Sequence, residues 1–408
     1  MTTRSLIALL SAMVLLPAAM AQCPLKDGDR VVFLGETATY QAMYTRFAMD
    51  YFTLRYPGLK VSFRNAGVWN EVATDGRARL QCDVLSLKPT VVTVFYGRGD
   101  GGFAEFQQGL YDRYTNAMTG IVTELKKSGV RVVLLSPPAM DPDRSPPWAN
   151  FNVYNNTLGR YAQSVKELAT KENLEFYDVH ALLLDVMKRS KAVDPRYSLM
   201  NEGNEPDVQC HAVIAYALLK ALGCKEQPSS LAIDIAKAAA TPDRCRVDDL
   251  KVQADSITFK RFDDALPTYL PPAAHSALPF FPFTQDLNQY NFTVTGLQAG
   301  TWKLTVENME VGTFTDKELA AGVNLATLPG PWIKIGEQVD NSAMEQERLY
   351  FTQWHGVSKL EVPGRAQPEY QALLTKMSQI VDKFEANRIK AVPQERTWQW
   401  SLRLAPAP

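Results

Sequence analysis

The sequence predicts an α/β fold: an open, doubly wound parallel sheet followed by a smaller C-terminal antiparallel β module with helices. Between Asp27 and Leu222, short apolar runs alternate with longer stretches of helical period. Several of those runs are β-branched almost throughout and lack polar alternation, as expected of strands covered on both faces. After Cys224 the patterning changes to period 2, with turn residues between the runs, which marks an antiparallel module.

In chain order, strands are expected at 30–34, 61–64, 90–96 and 130–135, with a shorter one at 174–177. Helical patterns fill the intervals at 40–54, 69–84, 107–127, 154–171 and 180–189, and a last one, 209–222, is closed by Gly223. Repeated strand–helix units of this length build parallel sheets. Residues 225–243 read as a linker with a short helix at 231–239. Period-2 strands follow at 256–262, 290–295, 302–307 and 310–314, with turn signals from Gly296 to Gly300 and at Asn308-Met309. Residues 316–323 and 367–386 are helical by pattern. The expected division is a signal peptide over 1–21, an α/β domain over 22–224 and a linker over 225–250. A small β module over 251–330 and a helical extension over 331–408, packing back on the rest, complete it.

A net charge of −1 over 408 residues gives no electrostatic reason to expect nucleic acid or an anionic membrane as partner. The N-terminus has Arg4, an apolar run from Leu6 to Leu16 and the exit Ala18-Ala19-Met20-Ala21. That pattern predicts export, and the run is too short for a comfortable membrane span. Among the five cysteines, Cys224 and Cys245 flank the linker and are the first candidates for a disulfide. Without a CxxC or Cys/His cluster a zinc site is not expected. Without a helix-opening GxGxxG or a Walker lysine no nucleotide site is expected, and no cofactor is assigned.

Two strand ends carry chemistry: Gly35-Glu36-Thr37 after the first strand and Gly97-Arg98-Gly99-Asp100 after the third. Open parallel sheets bind ligands beyond the carboxyl ends of their strands. With Arg64-Asn65-Ala66-Gly67 and Glu202-Gly203-Asn204-Glu205-Pro206 they form four blocks in a fixed order. Over about residues 28–222 this order resembles the SGNH (GDSL-type) hydrolases, esterases and lipases on a flavodoxin-like sheet. The trailing β module resembles a multi-domain branch of that family. The resemblance implies a nucleophile at Thr37, oxyanion donors at Gly67 and Gly99, and an orienting acid and base at Glu202 and Glu205. The family has Ser, Gly, Asn, Asp and His there, so of these positions only Gly67 keeps the family residue.

The replacements bear on activity. A serine-type hydrolase needs a hydroxyl, an imidazole to take its proton, an acid to orient the imidazole, and donors at the oxyanion. Thr37 adds a methyl that restricts χ1, and losing the Asn donor at Gly99 costs ~10²–10³ in rate. Glu205 is decisive, because a carboxylate of pKa ~4.3 is a weak base toward a hydroxyl. His211 and His180 read as structural residues rather than substitute bases. The leading expectation is a catalytically impaired, exported hydrolase-like protein that retains a small-molecule or carbohydrate ligand. Glu36, Asp100, Arg98 and Trp69 are then candidate contacts, with Arg98 expected in a salt bridge to the acidic residues. The alternatives are an ester hydrolase using Thr37 with a non-standard base, a cation site among Glu36, Asp100, Glu202 and Glu205, and paired-carboxylate glycosidase chemistry. Tyr96, Phe103 and Phe106 are placed near the cleft, with core packing the preferred role. Trp302, Trp354, Trp398 and Trp400 are expected to be packing residues.

Overall fold

The computed structural model describes residues 23–225 and 227–406, so the export signal read over 1–21 lies outside the described residues. The α/β part runs β1 (Arg30–Gly35), α1 (Thr37–Tyr40), α2 (Met43–Arg55), β2 (Ser62–Gly67), α3 (Ala73–Ala78), β3 (Val91–Phe95), α4 (Gln108–Lys127) and β4 (Arg131–Leu135). It continues with α5 (Phe151–Glu172), β5 (Glu175–Tyr177), α6 (Val179–Val193), the short β6 (Met200–Asn201) and β7 (Glu205–Pro206), and α7 (Val208–Ala221). Strands β2-β1-β3-β4-β5 form one parallel sheet in that order, the flavodoxin-like arrangement with its switch point between β1 and β3.

Alternation along the strands divides the core in two. Val31 and Phe33 face α2, α6 and α7, whereas Val32 and Leu34 face α3, α4 and α5. Both faces are buried, which is why the strands read as continuous apolar runs. Helix starts follow their caps: Asn150 accepts from the N–H groups of Asn152 and Val153, Asp178 from Ala181, and Asp207 from Gln209 and Cys210.

The second part contains β8 (Ser230–Asp234), β9 (Ala239–Asp243), β10 (Cys245–Val252), β11 (Ser256–Asp263), α8 (Phe283–Leu287), β12 (Asn291–Thr295), β13 (Thr301–Val306) and β14 (Met309–Thr315). It ends with α9 (Asp316–Ala321), β15 (Val323–Asn324), α10 (Pro331–Phe351), α11 (Gln367–Lys390) and β16 (Thr397–Leu404). One antiparallel sheet has the order β10-β11-β16-β13-β14; a second, β15-β12-β8-β9, pairs β12 with β8 in parallel. Three expectations change here. The linker segment with its helix at 231–239 is the antiparallel pair β8–β9, because Leu231 and Ile233 alternate inward over an otherwise alanine-rich stretch. Helix α10 lies in the extension read as helical, but that extension ends in strand β16, which was not expected; β16 is the middle strand of its sheet, with Trp400 and Leu402 fully buried. The turn before β14 is Glu307–Asn308, both at positive φ, one residue earlier than read, as a two-residue hairpin loop of this hand requires.

The two parts are clamped together. Arg46 pairs with Asp340 (2.5 Å) and Arg64 with Glu385 (2.7 Å) and Asp382 (2.9 Å), while Thr45 donates to Glu347 (2.7 Å). Cys224 and Cys245 are unpaired and sit in different cores, the first with α7 and the second beside β8, where its thiol donates to the Ser230 carbonyl. Among the described residues no helix is long and apolar enough to cross a membrane.

Candidate functional site

At the β1/β3 switch point the chain leaves Gly35 and turns at once into α1. The turn is packed too tightly for side chains on its floor. A Cβ on Gly35 would lie 2.1 Å from Thr39 Oγ1, and one on Gly67 would lie 2.3 Å from the Tyr40 nitrogen. Asn65 locks the same turn, with Nδ2 donating to the Thr39 carbonyl (2.7 Å) and Oδ1 accepting from the Gly67 N–H (2.8 Å). The Gly67 amide is therefore occupied. What this glycine supplies is close backbone approach between β2 and α1.

Thr37 is fully buried. Its Oγ1 accepts a hydrogen bond from the Asn70 backbone N–H at 3.0 Å. Asn70 has φ +54°, the left-handed region that asparagine tolerates better than most residues. Glu36 caps α1 by accepting from the Thr37 N–H (2.8 Å), and Arg98 Nη1 stands 3.8 Å from Glu36 Oε2. Burial pushes the Glu36 carboxyl up, opposed by the Arg98 cation and by the N–H and hydroxyl of Thr37. Arg98 is itself buried, donates from Nε to the Asn204 carbonyl (3.1 Å) and lies over the Phe103 ring at 5.4 Å. Arg98 thus ties the Gly35–Thr37 turn to the loop carrying Glu202 and Glu205.

Asp100 faces another way. Its Oδ1 accepts from the Ala73 N–H at the start of α3 (2.9 Å), and it lines a cavity of about 160 Å³ with Val72, Gly99 and Arg113. Burial, opposed by the Ala73 N–H and reinforced by Glu36, pushes its carboxyl up to about 7. Gly99 opens on the same cavity, and a Cβ there would meet nothing closer than Val72 Cγ1 at 3.8 Å.

Glu202 and Glu205 flank a turn in which Glu202 (φ +48°) and Gly203 (φ +76°) are left-handed. Glu202 is exposed and Glu205 half-buried. The strand carrying Glu205 packs against α1, but neither carboxylate has a hydrogen-bond or ion-pair partner among the described residues. His211 is fully buried, with Nδ1 accepting from the Tyr44 N–H (3.3 Å), Nε2 2.8 Å from Gln41 Oε1, and its ring stacked on Tyr44. Burial lowers its pKa to about 3, so the ring stays neutral and spent on structure. His180 opens α6 and lines a separate cavity with Phe106, Tyr111 and Arg160; burial lowers its pKa too.

The four acids do not converge. Glu36 is engaged by Arg98 and Asp100 by Ala73, while Glu202 stands in solvent. Among the described residues no three of His, Cys, Asp or Glu are grouped to hold a metal ion, so the cation-site expectation finds no donor set. Trp69, beside Asn70, is 46% exposed and meets Tyr40 edge-on at 5.7 Å; Tyr40 in turn meets Phe351 of α10 at 5.2 Å. This makes an aromatic shelf next to the turn. Tyr96 is a core residue whose hydroxyl donates to Glu71, itself held by Arg79. Trp302 and Trp400 are fully buried. Sequence reasoning missed Asn70. The available signal was an Asn a few residues beyond a strand end, where a left-handed amide can point back at the turn.

The sequence model of the GDSL-like lipase/acylhydrolase family matches residues 28–199. An acetylxylan esterase from Geobacillus stearothermophilus is 23% identical over 218 residues, covering 48% of this chain and 95% of that protein. Among solved structures, a gut microbial diltiazem-metabolizing enzyme superposes with a TM-score of 0.78 at 22% identity, covering 94% of this chain and 99% of that one. The two-part architecture therefore recurs as a whole. A crystal structure of the Geobacillus esterase covers 50% of this chain and 97% of its own, with 21% identity and a TM-score of 0.42.

Proposed function

From the premise that residues 28–199 belong to the GDSL-like lipase/acylhydrolase family, we propose that this is an exported member whose ester-hydrolysing machinery is impaired and whose cleft is kept for ligand binding. The observation that carries the reading is the surroundings of the Thr37 hydroxyl. It is sealed from solvent, carries a branched methyl, and has no imidazole beside it; His211 is committed to Tyr44 and Gln41. Where the family base stands, this chain has Glu205, a poor acceptor for a hydroxyl proton. Charge built on an ester oxygen during attack would also develop near the Glu36 carboxylate, where donors are needed. The exposed shelf of Tyr40, Trp69 and Phe351 suits the apolar face of a sugar ring or an aryl ester. By likeness to the acetylxylan esterase, an acetylated oligosaccharide is the ligand class to test first. Export is supported by the charged start, apolar run and small-residue exit ahead of Cys23.

One observation favours the second reading, an active ester hydrolase with a non-standard base. The Asn70 N–H already points at Thr37 Oγ1, so it steadies the oxygen that would lose its proton. Glu36, raised by burial and approached by the Thr37 hydroxyl, is then the acceptor for its proton. Hydrolysis of p-nitrophenyl acetate by wild type and Thr37→Ala separates the two. Rates at background for both proteins, with tryptophan fluorescence that still titrates with an acetylated xylo-oligosaccharide, are expected from the impaired binder. A wild-type rate well above background that disappears in Thr37→Ala would establish the hydrolase instead.

A further inference from the structure

We propose that Cys23 and Cys224 are partners in a disulfide that ties the N-terminal segment to the end of α7. A single side chain brings the two segments together. Arg131 donates from Nη1 to the Pro24 carbonyl (2.5 Å) and from Nη2 to the Leu222 carbonyl (3.1 Å). Two acceptors on one guanidinium lie within its width plus two hydrogen-bond lengths of each other. One follows Cys23 directly, and the other precedes Cys224 by two residues. Leu25 is buried in the same core as Leu222 and Cys224, and Cys23 packs against that core. Helix α7 ends at Ala221, Gly223 turns left-handed (φ +85°), and the Cys224 N–H bonds back to the Leu219 carbonyl (2.9 Å). That reversal carries Cys224 inward, where only 2% of it is exposed, toward the segment that Arg131 holds.

The remaining cysteines have other places. Cys245 donates to the Ser230 carbonyl in the β core, Cys210 is sealed inside α7, and Cys82 is exposed and donates to the Arg79 carbonyl. The Cys224 thiol also senses Cys23. After burial, charge on Cys23 is the next largest influence raising the Cys224 thiol, while burial pushes Cys23 itself up to about 11. Cys23 is the less buried and less shifted of the two, so it attacks first. Its thiolate displaces one half of a small-molecule disulfide such as oxidised glutathione, releasing one reduced thiol. The Cys224 sulfur then displaces the second half and closes the Sγ–Sγ bond. Two electrons pass to the oxidant, and the two cysteine protons end on the two released thiols.

The test is oxidation of the purified protein with oxidised glutathione. Two of the five thiols should become unreactive to a thiol reagent after denaturation. A non-reduced tryptic digest should yield the peptide ending at Lys26 joined to residues 221–225. Closing so long a loop should raise Tm by roughly 5 °C over the reduced protein. Cys23→Ser, at a half-buried position, should fold as the reduced wild type does and show neither cross-link nor rise. A cross-link from Cys224 to Cys245, or five reactive thiols after exhaustive oxidation, would overturn the proposal.

Discussion

The turn at Gly35–Thr37 and the loop at Asn201–Pro206 are joined by Arg98, yet they are built in opposite ways. The backbone and side chains of the turn are held by fixed hydrogen bonds, with Glu36 Oε1 the exception, and its two glycines admit no side chain. In the loop, Glu202 is exposed and neither glutamate side chain has a hydrogen-bond or ion-pair partner among the described residues. The turn is a structural necessity, because the carboxyl ends of β1 and β2 close on α1 through it. The loop is held through its backbone, by Arg98 at the Asn204 carbonyl and by the Asp141 N–H at the Gly203 carbonyl. Packing therefore constrains the first region far more tightly than the glutamate side chains of the second.

The largest effect that would sharpen this contrast is a gain in ester hydrolysis. Thr37→Ser, Gly99→Asn, Glu202→Asp and Glu205→His together return the family residues, and Gly99 has the open space an added side chain needs. Hydrolysis of p-nitrophenyl acetate should rise by orders of magnitude, about 10²–10³ of it from the recovered oxyanion donor. No gain would mean that the loop backbone has moved as well as its side chains.

Next in size is the packing of the turn. Gly67→Ala forces a Cβ to 2.3 Å from the Tyr40 nitrogen and should cost about 1–3 kcal/mol in urea unfolding. Gly99→Ala should stay within about 0.5 kcal/mol of wild type. Equal losses at the two positions would break the distinction between a packed turn and an open cleft.

The smallest effect concerns Asp100. Its carboxyl is held up at about 7 when folded, against ~3.9 when unfolded. Between those values the folded chain keeps a proton that the unfolded chain has lost. The associated stability is complete below the lower value and disappears as pH rises through the upper. From pH 5 to 8 wild type should lose about 2 kcal/mol relative to Asp100→Asn, which keeps an acceptor for the Ala73 N–H but does not titrate. Parallel pH profiles of the two proteins would show that Asp100 is charged in the fold.

The same contrast explains what was legible in the sequence. The parallel sheet and its helices are local statements: Val91–Phe95 is apolar because both faces are covered, and Asp178 and Asp207 announce the helices they cap. Strand β16 is not a local statement. Its alternation at Trp398, Trp400 and Leu402 is visible, but its place between β11 and β13 depends on partners more than 90 residues away in the chain. The segment read as a helix at 231–239 fails for a related reason, since alanines suit either period and only pairing with β12 decides. At the site, the blocks located Thr37, Arg98 and Asp100. The donor at Asn70 was missed because its signal, an Asn shortly after a strand end, is weak until its positive φ is seen.

The position of β16 has a consequence for biogenesis. Its neighbours β11 and β13 are synthesised well before it and do not pair with each other. Until residues 397–404 leave the ribosome, each presents an unzipped edge to the cell, a template for aggregation. A nascent chain kept unfolded by a holding chaperone until its final strand is available would avoid that exposure.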